Sequence, residues 1–180
     1  PYYLEPYESP VEGDPGYDPA YPYTLTQGRI PFFHHGTVRN APWNRELCPV
    51  PETWINPETA AEIGIEDGDW LWLESKRGRT QGLARVTKSV APKVIYQERY
   101  WFPELLDSDD PNRAWQAMNI NLLTQNNDEC PFTYVLRGVQ INITKADSAP
   151  EGVWTDPTDF TPWLPEPSEN TGGGNAVYGA

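Results

Sequence analysis

Residues 53–87 read TWINPETAAEIGIEDGDWLWLESKRGRTQGLARVT, and the fold is decided here. Thr53-Trp54-Ile55 is a short β run. Asn56 is a good N-cap, and Pro57 stands at the first helical position, where its missing N–H removes no hydrogen bond. Glu58 and Glu62 are acidic near the start, as the helix dipole favours. Ala60, Ala61 and Ile63 supply an apolar packing face, and Gly64 ends the helix. Asp67-Gly68 is a turn. Residues 70–75 alternate, so Leu71 and Leu73 share one face while Trp70 and Trp72 take the other. Arg77-Gly78 turns the chain back, and 82–87 is the return strand.

Outward from this core the pattern stays β-like and broken. Residues 23–26 form a short β run ending at Gln27-Gly28. Residues 29–52 are irregular, because Pro31, Gly36, Pro42, Pro49 and Pro51 exclude long regular elements. Residues 94–100 are a further β run. Residues 103–117 are acidic and mixed, with a short helix expected near 112–117. Residues 119–124 are apolar between polar ends, and 134–144 alternate well enough for a last strand. Residues 1–20 read as an extended arm or linker. After Ala149 the chain turns Pro-, Trp- and Asp-rich and then Gly-rich, which predicts a wrapping arm or disorder. Many short strands, one well-defined helix and long irregular connections predict a small β-barrel with excursions.

Composition narrows the function classes. The chain has 180 residues and a net charge of −13, which argues against a nucleic-acid binder built on clustered Lys and Arg. No run of about 18 apolar residues occurs, so no membrane span is expected. The sequence begins at Pro1 without Met or an apolar leader, which reads as an internal fragment or a processed product and carries no compartment signal. Its two cysteines, Cys48 and Cys130, lie far apart with no C-x-x-C spacing. They leave open one disulfide or two buried thiols, and argue against a zinc or iron–sulfur site built from this chain alone.

One segment stands out by charge. Acidic residues fill 26 of 180 positions, yet none falls between Asp18 and Glu46. That interval holds Arg29, Arg39, Arg45, His34 and His35. A cationic, acid-free loop in an acidic protein is a reasonable anion site. Gly28 after a strand lets backbone N–H groups approach a ligand, and Arg29 could fork onto a phosphate or an oxygen-rich heterocycle. The competing reading is a plain turn with a solvated charge. Adjacent histidines on an extended backbone point to opposite sides, so they are poor joint metal ligands.

These residues resemble a known family. Thr26-Gln27-Gly28-Arg29, His34-His35-Gly36-Thr37 and Pro42-Trp43-Asn44-Arg45-Glu46-Leu47 look like the opening of the molybdopterin dinucleotide-binding domain. This is the C-terminal domain of the dimethyl-sulfoxide-reductase family, which includes formate dehydrogenases, nitrate reductases and acetylene hydratase. The Ile55-Asn56-Pro57 to Gly64-Ile65 block, Asp67-Gly68-Asp69-Trp70 and Glu74-Ser75-Lys76-Arg77-Gly78 are similar to its strand–helix–turn–strand signature. Val86-Thr87, Val90-Ala91-Pro92, Asn119-Ile120-Asn121-Leu122-Leu123-Thr124 and Leu136-Arg137-Gly138 continue the match. The 42–65 and 99–103 regions faintly resemble acetylene hydratase and related anaerobic reductases.

The resemblance implies a mainly β fold: a six-stranded double-psi β-barrel with short helices and irregular terminal arms. It implies a linker from a preceding domain at 1–20, the barrel at 21–148 and a tail at 149–180. It further implies a cofactor-binding domain of a molybdopterin oxidoreductase, holding molybdopterin guanine dinucleotide with molybdenum or tungsten. The expected contacts are Thr26, Gly28, Arg29, His34, His35, Gly36, Thr37, Asn56, Asn119 and Asn121. For Asn56 a plain helix cap is an equal reading. No catalytic or metal-ligating residue is expected in this chain. The metal ligand and any iron–sulfur cluster would lie in preceding catalytic domains of the same polypeptide, or the cluster in an electron-transfer subunit. The isolated chain is not expected to turn over. Prokaryotic cytoplasm and the cell-envelope side both stay open.

The sequence departs from the family pattern at Arg99-Tyr100-Trp101-Phe102-Pro103, where many relatives carry a His-Gly-Trp type segment. Cys48 follows a Pro-rich connection and reads as structural. The alternative class is an aromatic-rich carbohydrate-binding or structural interaction module, with Trp54, Trp70, Trp72, Tyr100 and Trp101 as a stacking platform.

Overall fold

The computed structural model describes residues 8–35, 37–38, 41–48, 50–98, 118–124 and 139–150. Six strands close into a barrel: β1 (Tyr23–Gly28), β2 (Glu52–Ile55), β3 (Trp70–Glu74), β4 (Arg79–Val86), β5 (Val94–Glu98) and β6 (Val139–Lys145). Two short α-helices, α1 (Pro42–Leu47) and α2 (Pro57–Ile63), and a 3-10 turn, η1 (Ile120–Leu122), sit between them. The central hairpin forms as its sequence dictates. Asn56 caps α2 by accepting from the Glu58 N–H at 2.9 Å, and Gly64 ends it in the left-handed region at φ 68°.

The strand order around the barrel is β1-β5-β2-β4-β3-β6. Thus β5 inserts between β1 and β2, while β2 inserts between β4 and β5; β3 and β4 form a direct hairpin, and every other connection passes over one strand. The pairs β1–β5 and β2–β4 are parallel; the remaining pairs are antiparallel. This is the six-stranded barrel that the sequence resemblance implied. Closure leaves none of these six strands with a free edge to template aggregation.

Alternation puts Leu25, Ile55, Leu71, Leu73, Ile95 and Ile141 inside, each at most 1% exposed. Each such side chain contributes about 1.5–3 kcal/mol on burial. The interior also holds a polar pair: the Thr53 hydroxyl donates to the Gln97 amide oxygen. Gly82 makes room for it, since a Cβ there would collide with Thr53 Oγ1 and stand 2.9 Å from Gln97 Oε1.

Several details differ from the sequence reading. Ala61 is exposed, and Thr59 takes its place on the buried face of α2, its hydroxyl accepting from the Lys93 N–H at 2.9 Å. Thr59, Ala60 and Ile63 form the one stripe of this two-turn helix that faces the barrel, and Ala61 falls outside it. The 29–52 connection contains the six-residue helix α1, started by Pro42 and lacking a side-chain cap. Residues 8–21 are not extended. They fold through turns and a Ser9–Tyr17 bridge, because Asp14 and Asp18 accept from nearby Ser9 and Ala20. The expected helix near 112–117, the first part of the last strand and the 151–180 tail lie outside the described residues. Among the described residues no helix is long and apolar enough to cross a membrane, which leaves strand-built spans unaddressed.

Candidate functional site

Strand direction sorts the connections onto two rims. Gly28 pairs with Glu98, and Thr53 with Gln97, so β1 and β5 end at the rim where β2 begins. The β3–β4 turn and the start of β6 lie on this rim too, by their pairings with β2, β4 and β1. The 29–51 connection leaves from here. Asn56 lies past the far end of β2, on the opposite rim. Its side chain is spent there: Oδ1 caps α2, and Nδ2 donates to Val90 O at 2.8 Å. The structure therefore separates Asn56 from the other expected contacts.

On the first rim, Thr26 is half-buried in β1 opposite Tyr96, and Arg29 is exposed. Gly28 is required for a reason the sequence did not reveal. A Cβ at Gly28 would collide with the Tyr96 ring, whose phenol donates to Arg29 O at 3.2 Å. The space beside Gly28 is filled by this ring and not left as a cradle for a ligand. Tyr96 in turn lies 4.7 Å from Trp54, centroid to centroid.

Beyond Arg29 the loop is pinned by Ile30 and Phe33. They pack with Cys48 and Met118 in a second apolar cluster, with Trp70 against it. This anchor holds His34, His35 and Thr37 out at the surface. The segment is a tight turn: Thr37 N–H donates to His34 O at 3.0 Å, its hydroxyl donates to the same oxygen, and His35 has φ 55°. The backbone is thus not extended, and the two imidazoles meet edge-on with centroids 5.0 Å apart instead of pointing to opposite sides. Gly36 lies outside the described residues. Thr37 acts in building the turn, while the histidines stay presented.

η1 stands on the same rim. Asn119 Oδ1 accepts from the Asn121 N–H at 3.0 Å, so Asn119 is a cap. Ile120 and Leu123 anchor the turn in the core, and Asn121 is left exposed.

Three further residues escaped the sequence reading. Gln27 faces inward by alternation from Leu25, and its Nε2 is buried with no hydrogen-bond acceptor among the described residues. Arg77 lies at the centre of the polar contacts of the β3–β4 turn. Glu98 is 5% exposed beneath the Cys48–Glu52 stretch, accepting from the Glu52 N–H at 3.1 Å with Cys48 Sγ 3.7 Å away. Burial raises its pKa from 4.5 to about 7; the Glu52 carboxylate adds to the rise, while the Glu52 N–H, the Cys48 thiol and Arg85 oppose it. The signal available for Gln27 and Glu98 was register, which composition does not carry.

The aromatic platform of the alternative reading does not form among the described residues. Trp72 lies under the Arg79 guanidinium at 4.2 Å, Trp54 packs on Tyr96, and Trp70 packs on the second cluster. Tyr100 and Trp101 lie outside the described residues.

The rim fits an acceptor-rich anion. It presents Arg29, His34, His35 and Asn121, it has a buried donor at Gln27 lacking an acceptor among the described residues, and its 19–45 segment contains no carboxylate.

Comparison with known proteins names the class. The family model for the "Molydopterin dinucleotide binding domain" matches residues 23–134. The chain belongs to this family. It is 41% identical over 150 residues to the dopamine dehydroxylase of Eggerthella lenta, covering 81% of this chain and 14% of that protein. It is 34% identical over 70 residues to the thiosulfate reductase molybdopterin-containing subunit PhsA of Salmonella typhimurium, covering 39% of this chain and 9% of that subunit. Among solved structures, acetylene hydratase from Pelobacter acetylenicus superposes with a TM-score of 0.70 at 22% identity, over 81% of this chain and 21% of that one. That likeness supports the fold. The chain thus spans a small fraction of the relatives it matches.

Two outcomes test this geometry. Gly28→Ala should cost about 1–3 kcal/mol by displacing the Tyr96 ring. The same change in a Tyr96→Ala background should cost less than about 1 kcal/mol, read as coupling in denaturant unfolding. For Glu98, the folded state keeps a proton that the unfolded chain releases near pH 4.5. The stability from this group is full below pH 4.5 and is lost as pH rises to about 7. The loss is on the order of 3 kcal/mol. Unfolding curves at pH 5 and pH 8 should show a wild-type decline that Glu98→Gln largely abolishes; an equal decline in both would contradict the burial effect.

Proposed function

We propose that this chain forms one wall of a molybdopterin guanine dinucleotide site in a larger oxidoreductase, through the rim carrying Thr26, Arg29, His34, His35, Asn119 and Asn121. The observation that carries this reading is the acid-free segment held outward by Ile30 and Phe33 on the same rim as the exposed Asn121. Arg29 binds a phosphate or a ring oxygen through its fork of donors. His34 and His35 add donors from a turn that Thr37 locks, and Asn121 offers both a donor and an acceptor to a heterocycle. Gln27 supplies a further donor from the barrel mouth. Asn56 is not carried into the site.

When bound, the cofactor supplies two-electron redox chemistry at molybdenum or tungsten, and this chain's residues bind and orient it. The metal ligand, an iron–sulfur cluster and the substrate pocket are assigned to preceding domains of the same polypeptide, or the cluster to a partner subunit. Exposed Phe32, Val38, Trp43 and Leu47, 41–61% accessible, lie on the 29–51 connection and suit burial against such a domain. Hydride or oxo transfer, and a dehydroxylation as named for the Eggerthella lenta relative, are the reactions in view.

In the full-length enzyme, Arg29→Ala should lower metal and pterin content several-fold, consistent with loss of a charge-assisted contact. Its unfolding free energy should stay within about 0.5 kcal/mol, as for an exposed substitution. Unchanged metal content by mass spectrometry would remove Arg29 from the site.

A further inference from the structure

The β3–β4 turn does more than reverse the chain. Ser75 is 3% exposed and closes the turn by its N–H to Gly78 O at 2.8 Å. Its hydroxyl donates to Leu123 O at 3.0 Å, and Arg77 Nε donates to the same oxygen at 2.8 Å. Both lone pairs of that carbonyl are thereby used. Gly78 lets the turn approach η1 closely, since a Cβ there would stand 3.0 Å from Leu122 O. The backbone of η1, and with it Asn121, is held by this turn.

The same guanidinium reaches the other way. Arg77 Nη1 pairs with Glu8 Oε1 at 2.6 Å, and Glu8 Oε2 accepts from the Gln140 N–H at 2.7 Å. Glu8 is 8% exposed. A second clip, Lys76 to Asp18 at 2.9 Å, joins the same turn to the same segment, and the Lys76 hydrogen bond holds the Asp18 carboxyl below its ordinary range. The exposed clip contributes little; the shielded one, with two acceptors in one planar fork, is the specific contact.

We infer that Arg77 is a positioning residue for the cofactor site, fixing the Asn121 wall through Leu123 O and tying it, through Glu8, to the segment that enters the barrel. The inference rests on the reading of Asn121 as a cofactor contact. It explains why the 8–18 segment folds onto the barrel instead of running as a loose linker. The Arg77 guanidinium is engaged by Leu123 O and Glu8, so its action on the site runs through the backbone of residues 120–123.

The test uses the full-length loaded enzyme and follows release of the pterin, read by its fluorescence after oxidation, together with metal per chain. Arg77→Gln should speed release on the order of tenfold, as loss of an outer partner does at metal sites. Glu8→Gln should act in the same direction. In an Asn121→Ala background, Arg77→Gln should add less than about twofold, because both changes remove the same wall. Equal effects with and without Asn121 would mean that Arg77 only stabilises the fold, and would overturn the inference. If Asn121→Ala speeds release and Arg77→Gln does not, the inference fails while the site reading stands. If Asn121→Ala changes nothing, both fail together. Should the glutamine variant not fold, Arg77→Lys keeps the charge but cannot span both acceptors in one fork, and should show the same coupling at smaller size.

Discussion

The parallel pairing of β5 with β1, from Thr24↔Val94 to Gly28↔Glu98, is the constraint on which the rest of the site depends. It brings β5 between β1 and β2, so the chain must cross over itself to continue. It sets the Tyr96 ring against Gly28 and fixes where Arg29 leaves the barrel. It also places Glu98 beneath the Cys48–Glu52 stretch, where the carboxyl can be buried only at the cost of a raised pKa. A slip of β5 by one residue would turn Ile95 outward beside the inward-facing Leu25 and open the core. The hydrophobic interior therefore enforces the register, and the register builds the rim.

On that rim the electrostatics are local. The chain is acidic overall, yet the segment from residue 19 to 45 carries no carboxylate. An anionic ligand at this segment would avoid the carboxylates that the rest of the chain carries. Ile30 and Phe33 hold the segment by packing, so Arg29 and the histidines need not fold back for their own stability. Arg77 and Glu8 brace the other wall. The proposed binding groups and the bracing groups are thus different residues, and a mutation in either class should leave a different signature.

Much of the fold was legible in the sequence, because it is written in local chemistry. Asn56-Pro57 and Gly64 mark the ends of α2, and the 70–75 alternation gives β3 its buried Leu71 and Leu73. The pattern of short strands already predicted a small β-barrel, and the family resemblance supplied its six-stranded form. The site was legible in composition as a charged interval, but its geometry was not. Asn56 looked equally like a cap and a contact, and only strand direction places it on the far rim. Gly28 read as space for a ligand, whereas a residue 68 positions later fills that space. Gln27, Glu98 and Arg77 stayed hidden because their meaning lies in pairings far apart in sequence, such as Arg77 with Glu8.

The central claim is that the dinucleotide lies against the rim of Arg29 and Asn121. Hydrogen exchange on the full-length enzyme, with and without its cofactor, tests it most directly. Amides of residues 27–38 and 119–124 should gain protection on loading, while those of 56–66, on the opposite rim, should not change. Protection confined to 56–66, with 27–38 unaffected, would contradict the account.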